Sequence, residues 1–219
     1  MIYLDYSANA PVSPRVLQCF ADAAARYTGN PNAKHPAGLA AKAAIDEATS
    51  SIAAALGVQP DEIIYTSGAS ESNNTAIRGI LRASRHIGKH VLTTPLEHPS
   101  VSGCLTAAME RGYEIDMLSV GRDGKIDPEE VRELLRPDTV LVTLPAVDSE
   151  LGIVQPVREV ARILRGVAHC CLHVDATQAI GKLPFSFDEV DTASFAPHKF
   201  GGIVGSGVLL KRHGLAIEP

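Results

Sequence analysis

Thr192-Ala193-Ser194-Phe195-Ala196-Pro197-His198-Lys199-Phe200-Gly201-Gly202, followed four residues later by Gly207-Val208-Leu209-Leu210-Lys211, reads as a strand, a lysine-bearing turn and a second strand. A lysine amine condenses with an aldehyde to form a Schiff base, and glycines beside it let the backbone approach closely. The plainer reading is a solvated lysine next to a Gly-rich turn. The choice between them rests on the segments upstream.

Moving outward, short apolar runs rich in β-branched residues alternate with helical patterns. Strands are predicted at 62–66, 90–94, 114–118, 139–145, 170–174, 192–195 and 207–211. Helical spacing marks 14–26, 36–56, 70–83, 98–110, 127–135 and 156–165, with Asp127-Pro128 as an N-cap followed by proline at the first helical position. Alternation of this kind predicts an α/β fold: a mostly parallel seven-stranded sheet with helices on both faces. The expected organisation is an N-terminal segment, 1–13, and one large domain over 14–219.

Composition narrows the function classes. A net charge of -5 and no tryptophan argue against a polyanionic nucleic-acid partner. No stretch has the length of a membrane span, and the first residues do not read as a secretory leader, so no membrane association and a cytoplasmic location are expected. Four cysteines without Cys-x-x-Cys spacing are expected to be reduced, mostly buried thiols, with Cys170 and Cys171 both in a strand.

In an open α/β sheet, ligands gather beyond the carboxyl ends of the strands. Four such places carry suitable chemistry. Thr66-Ser67-Gly68-Ala69-Ser70-Glu71-Ser72-Asn73 turns from a strand into a helix whose backbone N–H groups suit a phosphate, or is an ordinary serine-rich cap. Glu97-His98-Pro99 offers an imidazole for stacking or proton transfer, or a structural histidine. His173-Val174-Asp175 places an imidazole and a carboxylate on one strand face, aimed together into the site; Asp175 is suited to pair with a pyridine nitrogen or to cap the next helix. The fourth is His198-Lys199. A metal site drawn from His98, His173, Asp175 and His198 competes with this reading, but no local ligand signature supports it.

Tyr3-Leu4-Asp5, Gly29-Asn30-Pro31, the 66–74 segment, Glu97-His98, His173-Val174-Asp175-Ala176-Thr177-Gln178 and His198-Lys199 together resemble the cysteine desulfurases, of the class V aminotransferase group of pyridoxal phosphate enzymes. The resemblance implies pyridoxal 5'-phosphate as cofactor. Lys199 would carry it covalently and move protons, His98 would stack on its ring, Asp175 would face the ring nitrogen, and Gln178 would contact the ring hydroxyl. Ala69, Ser70 and His198 would hold the phosphate. It implies L-cysteine or a similar amino acid as substrate, converted to alanine with sulfur passed to a protein thiol. A homodimer, or a complex with a chain supplying a small domain, and a sulfur-acceptor scaffold would be the partners.

Three departures stand against the family pattern. Ala196 replaces a serine that contacts the phosphate, a contact worth about 1.5–3 kcal/mol. Ser149 stands where an asparagine addresses the ring oxygen. The family's C-terminal small domain, with its substrate-binding arginine and acceptor cysteine, is not in this sequence, so turnover is expected to need it. A non-catalytic interaction module with this fold, and a selenocysteine lyase or another class V activity, are the alternatives.

Overall fold

The computed structural model describes residues 2–218. Helices α1 (Pro14–Arg26) and α2 (Pro36–Leu56) precede β1 (Ile63–Thr66), α3 (Ala69–Ala83), β2 (His90–Thr93), α4 (Pro99–Met109), β3 (Glu114–Met117), α5 (Pro128–Leu134), β4 (Thr139–Pro145), α6 (Val157–Leu164), β5 (Cys171–Asp175), β6 (Thr192–Phe195) and β7 (Gly207–Lys211). Every predicted strand and helix is present, displaced by a residue or so at its ends. Proline sits at the first turn of α1, α2, α4 and α5, where its missing N–H costs no intrahelical bond. Asp127 caps α5 by accepting from Glu129 N at 2.9 Å.

The seven strands form one sheet in the order β1-β7-β6-β5-β4-β2-β3. All neighbouring pairs are parallel except those of β7, which runs antiparallel to both β1 and β6. β4, in mid-sheet, is buried along its whole length, as a strand covered on both faces must be. Period-two alternation divides the core. Leu92, Val142, Leu144, Leu172 and Val174 pack with Val160, Ala161 and Leu164 of α6. Val91 and Leu141 pack instead with Ile77 and Ile80 of α3 and Val101 and Leu105 of α4.

Two details differ from the sequence reading. β5 begins at Cys171, leaving Cys170 just before it. Cys19 is exposed, because α1 buries none of its residues against the rest of the chain. No helix among the described residues is long and apolar enough to cross a membrane.

Candidate active site

β1, β2, β4, β5 and β6 all point their carboxyl ends to one side of the sheet, and a cavity of about 560 Å³ opens there. Ala69 and Ser70 from the head of α3, His98 after β2, Ser149 after β4, Asp175 and Gln178 from the end of β5, and His198 and Lys199 after β6 all line it. Residues separated by 130 positions thus share one space because the sheet gathers strand ends.

The floor is Asp175, only 7% exposed. Its Oδ1 accepts from Thr177 N at 3.0 Å and its Oδ2 from Asn73 Nδ2 at 2.8 Å. Asn73 is fully buried on α3 and also donates to Ser100 Oγ at 2.9 Å, while its Oδ1 lies 3.0 Å from His173 Nε2. Ser100 in turn meets His98 Nδ1 through both its hydroxyl, at 2.8 Å, and its backbone N–H, at 3.1 Å. That N–H makes Nδ1 an acceptor and leaves the neutral ring's proton on Nε2. A continuous chain of bonds therefore fixes His98 relative to Asp175.

His173 does not reach the cavity, contrary to the expectation that it and Asp175 point into it together. It shares the strand face with Asp175 but lies one residue pair deeper, fully buried beneath α3, with Nδ1 2.8 Å from Thr192 Oγ1. Burial holds its imidazole neutral by pushing its pKa down, against a weaker upward pull from Asp175. This position also removes it from any metal set with His98 and His198.

Lys199 sits in the short turn Pro197–Lys199, and its Nζ donates to the carbonyls of Ser7 at 2.9 Å and Ala8 at 2.8 Å. Gln178 Nε2 donates to the same Ser7 carbonyl at 3.0 Å, and Ala10 N donates to His198 O at 2.9 Å. The N-terminal segment is therefore one wall of the site. His198 has its pKa lowered first by burial and then by the Lys199 charge. Opposite, α3 presents its first N–H groups at Ala69, Ser70 and Glu71, which have no intrahelical acceptors. Gly207 makes this approach possible: a Cβ there would lie 2.5 Å from Gly68 Cα.

Sequence reasoning singled out the cavity-lining residues but missed what holds them. Asn73 was legible only as part of a motif, Ser100 and Ser7 carried no signal, and Glu97 was noted only beside its histidine. Ala196 is fully buried and does not line the cavity. None of the four cysteines lines it either.

Residues 2–218 match the family model described as aminotransferase class-V. The chain belongs to the class-V aminotransferases. It is 38% identical over 220 residues to the cysteine desulfurase IscS of Dictyoglomus turgidum, covering 100% of this chain and 56% of that protein. Among solved structures it superposes on a NifS-like protein with a TM-score of 0.96 at 36% identity, covering 100% of this chain and 60% of that one. It is similar too to SspA in complex with cysteine, with a TM-score of 0.94 at 33% identity and coverage of 100% and 64%. The chain spans a little over half the length of the curated relatives it matches. Class-V aminotransferases and cysteine desulfurases are pyridoxal phosphate enzymes.

The donor set suits that cofactor. A helix N-terminus suits a phosphate, a buried carboxylate a ring nitrogen, an imidazole a ring face and an amine an aldehyde. Thr177 Oγ1, on the cavity wall, is buried without a partner among the described residues, as a group awaiting a ligand would be.

Proposed function

We propose that this chain is the cofactor-binding part of a cysteine desulfurase, acting on L-cysteine or a similar amino acid. The observation that carries this is the convergence of Lys199, Asp175, His98 and the head of α3 on one cavity. Pyridoxal phosphate, when bound, supplies an electron sink that makes the substrate α-proton acidic. Lys199, whose Nζ now donates to the Ser7 and Ala8 carbonyls, would hold the cofactor through that amine and would carry the proton taken from the substrate. Asp175 orients the ring through its nitrogen, and the Thr177 and Asn73 bonds keep the carboxylate aimed. His98 covers one face, Gln178 and Ser149 address the ring oxygen, and Ala69, Ser70 and His198 take the phosphate.

The sulfur acceptor comes from outside this stretch of chain. Cys104 and Cys170 are buried, Cys171 is half-buried, and Cys19 lies on α1 away from the cavity. Burial pushes the Cys170 and Cys171 thiols up to about 12, which leaves almost no thiolate at neutral pH. Turnover accordingly needs a thiol from outside these residues, and the relatives are longer than the stretch they share with this chain.

The test is a visible spectrum of the purified chain with pyridoxal phosphate, followed by borohydride trapping and peptide mass mapping. An adduct confined to the Lys199 peptide, and lost in Lys199→Ala, is expected; scattered adducts on other lysines would refute the proposal. A non-catalytic module is the second reading, favoured by Ala196 with its buried methyl group. Release of alanine from cysteine in any assembly containing this chain would remove it.

A further inference from the structure

Ser7 O takes two donors on the cavity wall, Gln178 Nε2 at 3.0 Å and Lys199 Nζ at 2.9 Å. Sharing one acceptor puts the amide nitrogen beside the amine. In pyridoxal phosphate the ring oxygen sits on the carbon next to the one that bears the aldehyde. An N–H beside the Lys199 amine is therefore beside that oxygen once the aldehyde meets the amine.

Lys182 stands behind this amide. It lies in the turn after β5, four residues on from Gln178, and its Nζ donates to Gln178 Oε1 at 2.5 Å. Its own backbone is fixed, with Lys182 N donating to Ala179 O at 3.0 Å. The side chain does not line the cavity and forms no ion pair among the described residues.

The plain reading is a surface lysine that has settled on the nearest acceptor. Two observations go further. An ammonium only donates and a carbonyl only accepts, so Lys182 and Ser7 O clamp the amide from its two ends in one orientation, with Nε2 at the wall. Nε2 has two hydrogens, and Ser7 O uses one, leaving the other for a ligand. Lys182 also stays within electrostatic reach of another ammonium: its pKa is lowered first by partial burial and next by the Lys199 charge. Two like charges held at one wall repel, and an anion received there offsets that repulsion.

We propose that Lys182 is a positioning residue of the cofactor site, acting through Gln178: it keeps Nε2 turned toward the ring oxygen and sets a positive charge behind the amide, so that the oxygen is held as an anion. The inference rests on the pyridoxal phosphate reading of the cavity and adds to it a residue outside the lining.

The test is absorbance titration of the full chain with pyridoxal phosphate and, separately, with the deoxy analogue that lacks the ring oxygen but keeps the aldehyde and the phosphate. Lys182→Met keeps the stem and removes the charge. It is expected to weaken pyridoxal phosphate binding about three- to tenfold, the range of an exposed hydrogen bond to a charged group. It is also expected to move the bound spectrum toward the band of the neutral ring oxygen. Lys182→Arg is expected to restore both, and the analogue to bind the native and Lys182→Met chains alike. In a Gln178→Ala background, Lys182→Met is expected to cost less than it does alone. Equal binding and equal spectra for the native and Lys182→Met chains would overturn the proposal, showing that Ser7 alone orients the amide. An equal loss for the analogue would overturn it too, because Lys182 would then act on the phosphate or on the fold. No adduct at Lys199 in the native chain would sink the cofactor reading itself and this inference with it, whereas a normal adduct with an indifferent Lys182→Met sinks the inference alone.

Discussion

Glu97 is the residue whose surroundings conflict most with its chemistry. Its Oε1 meets Thr143 Oγ1 at 2.5 Å, its Oε2 is buried without a partner among the described residues, and Asp175 lies close enough to add repulsion. Burial is the main cause that pushes its pKa up to about 8, with Asp175 adding to it and Thr143 opposing. The folded chain therefore holds a proton that the unfolded chain releases near 4.5. The folded state binds more protons across that window, so stability falls as pH rises from about 4.5 to about 8 and then levels. Urea denaturation at several pH values is expected to show this slope most clearly between about 6.5 and 8, where His173 no longer opposes it, and Glu97→Gln is expected to flatten it there and to exceed the native chain in stability above pH 8. His173 acts in the other direction: its depressed pKa gives stability that is present above its unfolded value of 6.5 and lost as pH falls. Asn73→Ala leaves His173, Asp175 and Ser100 each short of a partner. It is expected to cost about 2–4 kcal/mol, read as a lower midpoint of thermal unfolding.

At the scale of elements, the sequence was readable where local chemistry decides. Proline starts and apolar runs located the strands and helices to within a residue or so, because capping and side-chain periodicity are properties of short windows. What no window contains is pairing. The insertion of β7 between β1 and β6 in the antiparallel sense depends on how the chain after Lys199 turns back, and nothing in Gly207-Val208-Leu209-Leu210-Lys211 states the direction. The same limit hid Ser100, which is unremarkable in sequence and acquires its role only when α3 and α4 lie side by side. Packing of β7 against the head of α3 gives a test at this scale. Gly207→Ala would place a methyl group against Gly68 and displace the start of α3, with an expected cost of about 1–3 kcal/mol and weaker pyridoxal phosphate binding by absorbance titration. If stability falls while cofactor affinity is unchanged, the head of α3 is not the phosphate site.

At the scale of the whole molecule, the helices nearest the N-terminus are the least covered. α1 has no buried residue, and Leu17 and Phe20 are 51% and 58% exposed, with Leu39 and Ile45 on α2 also open. Large apolar side chains left open in this number favour association. Light scattering at micromolar concentration is expected to show an oligomer, and Leu17→Glu with Phe20→Glu to shift it toward monomer; a monomeric native chain would contradict this. The N-terminal segment has a practical meaning as well. Ser7 accepts from both Lys199 and Gln178, and the Tyr3 hydroxyl staples the segment, its one proton shared between Asp5 O at 2.8 Å and Asn9 O at 2.9 Å. Residues 3–10 are thus part of the site rather than a spare segment. A protease cut there alters the lysine's surroundings directly, and a spectroscopist adding pyridoxal phosphate is expected to see the damage in its absorbance before any loss of helix.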